Sequence, residues 1–309
     1  MRYDGRVYKF LILGADGFLG GRWLRKDSLT CVYQGTTRKE NYLGSTKLFF
    51  FDALNLLSID ELILTIKPDV VVNCIALKLA MSDANKVNAE KINVLFPQYL
   101  AQIAHKYHFK FVQISTDHFE SKNNEVRDER VKAFPINTYG YSKMKAEELV
   151  IDADKKAIII RTSFFGYEAN SKSENLLAKI RDSVLRNIPF TAFSDVYFSP
   201  VSVSNLIEIA HKLVLLDFSG IINVSSNESI SQHEFALITS RHLNATPSII
   251  QSGSVLDLET SVQRVKYRSL DNSLLKSVLI EPLSSMNDMI VDELQNYPST
   301  HEKSGFYVK

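Results

Sequence analysis

Lys9-Phe-Leu-Ile-Leu-Gly-Ala-Asp-Gly-Phe-Leu-Gly20 is the stretch that decides how the rest of the chain is read. An apolar run ends in glycines at positions 14, 17 and 20. A short strand followed by Gly-x-x-Gly-x-x-Gly lets the backbone turn tightly and approach a pyrophosphate, whose charge then rests on the N-terminus of the next helix. Such spacing is weak alone, because ordinary strand-to-helix turns also use glycine. Its place directly after a β-like run favours dinucleotide binding.

Working outward, β-branched and aromatic runs alternate with helical periods, the pattern of βαβ units in a parallel sheet covered on both faces. The runs predict strands over Lys9–Gly14, Thr30–Gly35, Lys47–Phe51, Val70–Cys74, Lys110–Ser115 and Ala157–Thr162. Ser58-Ile-Asp-Glu61 and Ser231-Gln-His-Glu234 read as capping boxes opening helices. After about residue 165 the rhythm loosens into helices near Asn175–Asn187 and Val203–Leu216, a loop over Ala192–Pro200, a strand at Gly220–Val224 and a polar C-terminal tail. The expected fold is α/β: a Rossmann-type, doubly wound parallel sheet over residues 1–165, with a smaller substrate-binding region over 166–309. No linker separates the two, so some elements of the second are expected to return to the first.

The composition fits a folded enzyme. The 309 residues are 45% hydrophobic and 23% charged, enough for a sizeable core, and a formal net charge of +1 gives no electrostatic case for nucleic acid. No apolar run has the length of a membrane span, and Met1–Tyr8 precede too short a run for a secretory signal. Cys31 and Cys74, each in a strand-like run, read as buried free thiols and not as a metal or disulfide site, which suits a cytoplasmic setting.

Two further motifs carry chemistry. In Asn137-Thr-Tyr-Gly-Tyr-Ser-Lys143, Tyr139 and Lys143 stand four residues apart on one helix face. A free tyrosine titrates near pH ~10, so a fixed ammonium that stabilises its phenolate makes it a usable acid at neutral pH. On its own such a pair is usually a solvated face. Ser115-Thr-Asp117 follows a buried strand at the carboxyl edge, where open α/β sheets bind ligands; the competing reading is a cap or turn. Together with the glycine loop, Thr116, Tyr139 and Lys143 make a candidate active site.

Through Gly14-Ala-Asp-Gly-Phe-Leu-Gly20, Ser115-Thr-Asp117 and Tyr139-Gly-Tyr-Ser-Lys143 the chain resembles the extended short-chain dehydrogenase/reductase superfamily. Within it, Asn73-Cys-Ile-Ala76, Arg161-Thr-Ser-Phe164, Ser194-Asp-Val-Tyr-Phe-Ser-Pro200 and Gly220-Ile-Ile-Asn-Val224 are similar to the dTDP-4-dehydrorhamnose reductase branch. The resemblance implies that Tyr139 protonates the sugar oxygen, that Lys143 lowers its pKa and holds the nicotinamide ribose, and that Thr116 bonds the reacting carbonyl. The reaction implied is reduction of a nucleotide-linked 4-keto-6-deoxysugar. It also implies a cofactor site at Gly14, Asp16, Gly17, Phe18, Leu19, Gly20, Asp52, Ala53, Cys74, Ile75 and Ala76, with Ile75 bulkier than the small residues usual there. Gln34-Gly-Thr-Thr-Arg38-Lys39 has no carboxylate for an adenosine ribose, so NADPH is favoured over NADH, with Arg38 facing the 2′-phosphate.

On the substrate side the resemblance points to Thr116, Asp117, His118, Phe164, Asp195 and Arg268. His118 stands where a tyrosine is usual and Phe164 where a tryptophan is usual. Asp195 is read either as a partner of sugar hydroxyls or as a cap for its own loop, Arg268 as reaching the diphosphate, and His118 as a solvated loop residue or a proton-transfer group. Dehydration is disfavoured, because Thr116-Asp117-His118 lacks the carboxylate that dehydratases place after the aspartate. Epimerisation on the same scaffold and a dinucleotide-binding regulatory subunit stay as alternatives. The residues do not fix oligomeric state, and a homodimer is left open.

Overall fold

The computed structural model describes residues 6–39, 47–120, 125–131, 134–167, 175–258 and 263–296. The polar tail expected at the C-terminus lies, from residue 297 on, outside them. Among the described residues no helix is long and apolar enough to cross a membrane.

Seven strands form one sheet: β1 (Tyr8–Leu13), β2 (Cys31–Thr37), β3 (Leu48–Phe50), β4 (Val70–Asn73), β5 (Lys110–Ile114), β6 (Ile158–Thr162) and β7 (Gly220–Val224). Their order is β3-β2-β1-β4-β5-β6-β7, and every pairing is parallel. The order reverses between β1 and β4, which opens a crevice at their carboxyl ends. Side-chain alternation explains why the sheet is covered on both faces. Phe10, Ile12, Val70, Val72, Ile158 and Ile160 pack on one side with Trp23 of α1 (Phe18–Leu24), while Leu11, Leu13, Val71, Phe111 and Ile159 pack on the other with Ile59 and Ile63 of α2 (Leu57–Ile66).

A run of short helical turns, Leu79–Ala84 and Lys86–Glu90, passes through a π turn at Lys91–Leu95 into α3 (Phe96–Tyr107). Against it lies α4 (Thr138–Ala153), which carries the Tyr/Lys pair; Asn137 caps it, accepting from Gly140 N at 2.8 Å. The second half supplies α5 (Leu176–Arg186), α6 (Val203–Leu215), α7 (Gln232–His242) and α8 (Met286–Gln295), while β7 returns to the sheet beside β6.

Some boundaries differ from the sequence reading for physical reasons. β1 ends at Leu13, since Gly14 turns away with φ +81°, and β2 runs two residues past Gly35 because its edge pairs with β3. The capping box at Ser231 forms, whereas Ser58 sits inside the first turn of α2 and donates to Asn55 O at 2.8 Å, leaving Leu56 as a cap without a side-chain bond. The expected loop at 192–200 instead carries parts of two two-stranded pairings, Phe190–Phe193 with Ile250–Gly253 and Tyr197–Phe198 with Ile230–Ser231, and a third, Val201–Ser202 with Phe164–Phe165, follows just beyond it. Both cysteines are free but half-buried, so the expectation of full burial is corrected.

Candidate active site

The glycine loop is built by close approach. A Cβ on Gly20 would fall 2.3 Å from Gly14 O, and one on Gly14 would fall 2.9 Å from Ile75 Cγ1. Only glycine lets α1 start against the end of β1 while Ile75, after β4, lies beside the turn. Gly14 N donates to Thr36 Oγ1 at 3.0 Å and Ala15 N to Thr36 O at 2.8 Å, tying the loop to β2. Arg38 lies exposed just past β2 with no carboxylate among Thr36, Thr37 and Arg38. Asp52 follows β3 and turns its carboxylate to Leu54 N at 3.0 Å, beside buried Ala53. Phe18, at the start of α1, packs on Phe164, just after β6, with ring centroids 5.5 Å apart.

Thr116 follows β5 and is 4% exposed. Its hydroxyl lies 3.3 Å from His118 Nδ1, and the His118 ring meets Tyr139 of α4 edge-on, so the hydroxyl and the phenol are neighbours. The helix comes this close because residue 140 is glycine: a Cβ there would lie 2.6 Å from His118 O. Lys143, one turn on and 2% exposed, donates from Nζ to Ile114 O at 2.7 Å. Burial pushes this ammonium down to about 8, against the opposing attraction of Glu147. Burial likewise pushes the Tyr139 phenol up to about 12, with the Thr116 hydrogen bond opposing and the Asp117 carboxylate adding. Burial thus raises the phenol here, while Lys143 Nζ is turned to Ile114 O. In this arrangement desolvation dominates, and the ammonium faces a carbonyl.

Asp117 and His118 form a second cluster beside the first. His118 Nδ1 lies 2.9 Å from Asp117 Oδ1 and 3.3 Å from Thr116 Oγ1, and its ring meets Tyr139 edge-on, with centroids 5.6 Å apart at 89°. Asp117 is 2% exposed; Arg268 Nη1 faces its Oδ2 at 3.4 Å and Arg127 Nη2 donates to its carbonyl at 2.8 Å. Burial works to raise that carboxyl, yet Arg268 and His118 together hold it below the usual carboxylate range.

Two substrate-side residues have protein partners. Arg268 is 8% exposed, with Nη1 directed at Asp117 Oδ2. Asp195 accepts from Ser254 Oγ at 2.7 Å and Val255 N at 2.8 Å and pairs with Lys266 at 3.1 Å, so its carboxylate fastens its loop to the distant turn at Ser254–Val255 instead of capping the loop itself.

Several residues of the site escaped the sequence reading. Glu147, one turn after Lys143, grips Arg161 of β6 through Nη2–Oε2 at 2.7 Å and Nε–Oε2 at 3.0 Å, and accepts from Ser115 Oγ. The Lys143-x-x-x-Glu147 spacing was the available signal. Asn93 sits in the π turn and donates to Ser142 Oγ at 3.0 Å and Leu77 O at 3.1 Å, locking α4 to the chain after β4. A π turn breaks the helical period, so spacing carried no sign of it. Farther off, Glu293 of α8 is fully buried; it pairs with Arg22 of α1 at 2.8 Å and accepts from Ser204 Oγ at 2.8 Å and Tyr167 N at 3.2 Å.

A parallel sheet with a glycine loop at its switch point and a Thr/Tyr/Lys set at its carboxyl edge defines the class: a dinucleotide-binding protein of the extended short-chain dehydrogenase/reductase kind. More narrowly, the chain belongs to the RmlD substrate binding domain family, whose pattern matches residues 8–298. It is 25% identical over 281 residues to the "Probable low-salt glycan biosynthesis reductase Agl14" of Haloferax volcanii, covering 88% of this chain and 92% of that one. It is 24% identical over 281 residues to the dTDP-4-keto-6-deoxy-D-glucose reductase of Streptomyces niveus, covering 89% and 92%. Among solved structures, the dTDP-4-dehydrorhamnose reductase of Bacillus anthracis in complex with NADP superposes with a TM-score of 0.81 at 22% identity, over 94% of this chain and 99% of that one.

Proposed function

We propose that this protein is an NADPH-dependent reductase of a nucleotide-linked 4-keto-6-deoxysugar. The observation that carries the reading is the meeting of Thr116, Tyr139 and Lys143 at the carboxyl edge, next to the glycine loop. The named reductases among its relatives support it, and so does the glycine loop: Gly14 and Gly20 let the end of β1 and the start of α1 pack close enough to make the tight turn that a pyrophosphate site uses. Gly14, Asp16, Gly17, Phe18, Leu19 and Gly20 would hold the diphosphate, Asp52 and Ala53 the adenine, Cys74, Ile75 and Ala76 the nicotinamide side, and Arg38 the 2′-phosphate. When bound, NADPH supplies hydride to a keto carbon.

The chain's own part is to hold the carbonyl and deliver a proton. Thr116 Oγ1 and the Tyr139 hydroxyl, neighbours around His118, would each donate to a carbonyl oxygen placed between them. Tyr139, protonated throughout the neutral range, gives its proton to that oxygen as charge develops. Lys143 uses one N–H on Ile114 O, which leaves donors for a ribose hydroxyl. Residues 1–165 then carry the cofactor and 166–309 mainly the sugar nucleotide, in a cytoplasmic setting. Phe164 and His118 border the sugar.

NADPH absorbance, followed as purified protein meets dTDP-, UDP- and GDP-linked 4-keto-6-deoxysugars in turn, tests the reading. Oxidation with one nucleotide supports it and names the substrate. NADPH binding without oxidation of any of the three would move the protein to the epimerase or regulatory-subunit alternatives.

A further inference from the structure

Reduction does not require the Asp117–His118 pair. A buried carboxylate, kept ionised by Arg268, holds His118 at Nδ1, while Nε2 makes no hydrogen bond among the described residues. An imidazole held through Nδ1–H by a carboxylate keeps its other nitrogen as a base, and the carboxylate stabilises the imidazolium that forms. The charged and titratable groups facing the ring are Asp117 on its own segment, Arg268 behind that carboxylate, and Tyr139 of α4 at its edge. His118 is thus a base placed beside the two hydroxyls proposed to polarise a carbonyl.

We infer that His118, oriented by Asp117, removes and returns a proton on the carbon next to the keto group, so that the same site enolises its 4-keto-sugar. This rests on the reductase reading for the identity of the ligand. The C–H bond breaks and its proton passes to His118 Nε2. Its electron pair forms the C=C bond as the carbonyl π pair moves to oxygen, where Thr116 and Tyr139 donate hydrogen bonds to the enolate. Reversal restores the ketone. No oxidant or reductant takes part, and solvent exchange at the imidazolium replaces the proton before it returns. His118 is well placed for that exchange, since its side chain is 25% exposed.

The test uses the full chain with NADP+, which cannot give hydride, and dTDP-4-keto-6-deoxy-D-glucose in deuterated buffer, with deuterium at the ring positions flanking the ketone read by NMR. The expected result is wash-in at least ~10-fold above a protein-free control, lowered about 100-fold by His118→Asn. NADPH oxidation by the same variant is expected to fall by clearly less, a split that a purely structural His118 would not produce. Exchange equal to the control, from protein that oxidises NADPH with this sugar, overturns the inference and leaves the reductase reading standing. Equal losses of exchange and reduction in His118→Asn also overturn it. Protein that neither exchanges nor oxidises with any of the three nucleotide sugars removes the reductase reading, and the inference with it.

Discussion

At the scale of single residues, Tyr139 and Lys143 make separable predictions. Tyr139→Phe removes the proton donor and keeps the ring, so turnover with the accepted keto-sugar is expected to fall ~100-fold or more, with NADPH affinity by fluorescence titration little changed. Near-normal turnover would remove Tyr139 from the chemistry. Lys143 is held down to about 8 by burial, so its ammonium is lost as pH rises through that value. The free enzyme's kcat/KM should therefore hold below pH 8 and decline above it, and Lys143→Ala should abolish that limb along with part of the cofactor affinity. A flat profile through this range would show that the ammonium is not needed. Both residues were legible from their spacing. The environment was not: whether a phenol is raised or lowered depends on desolvation and on where the ammonium points, neither of which the one-dimensional pattern contains.

At the scale of elements, two glycines make opposite predictions. Gly20→Ala drives a Cβ against Gly14 O and should cost cofactor binding first, with the keto-sugar site intact by titration with dTDP. Gly140→Ala drives one against His118 O, displacing α4 from Thr116; here kcat should fall about 100-fold, since misplacement of about 1 Å has that effect, with a smaller loss of NADPH affinity because Lys143 rides on the same helix. The reverse pattern would exchange the roles given to the two helices. The central strands were readable because β1, β4, β5 and β6 are dense apolar runs whose alternate residues fill both faces. The substrate half was not, because Tyr197–Phe198 and Val201–Ser202 are two-residue strands held by partners far along the chain. Asp195 shows the same limit: its chain neighbours fit a sugar ligand, while its actual partners are sixty residues on.

For the whole molecule, acid sensitivity follows from His211 of α6. Its Nε2 accepts from Trp23 Nε1 at 3.1 Å and lies 3.2 Å from Tyr33 OH, and burial pushes its pKa down to about 4 from an ordinary 6.5. Because the unfolded chain takes that proton first, stability is expected to be full above pH 6.5 and to decline toward pH 4 by roughly 2 kcal/mol, allowing for the ring's partial exposure. Urea denaturation at successive pH values checks this, and His211→Gln should flatten the slope in that window.

The Glu293–Arg22 pair has a consequence for how the chain is made. Arg22, in the helix that follows the glycine loop, meets its counter-ion 271 residues later. During synthesis the first helix emerges long before α8, so its guanidinium stays hydrated and the nucleotide cradle unfastened until translation is nearly complete. A nascent chain halted before residue 286 would carry the whole parallel sheet and still lack the latch that closes its first turn.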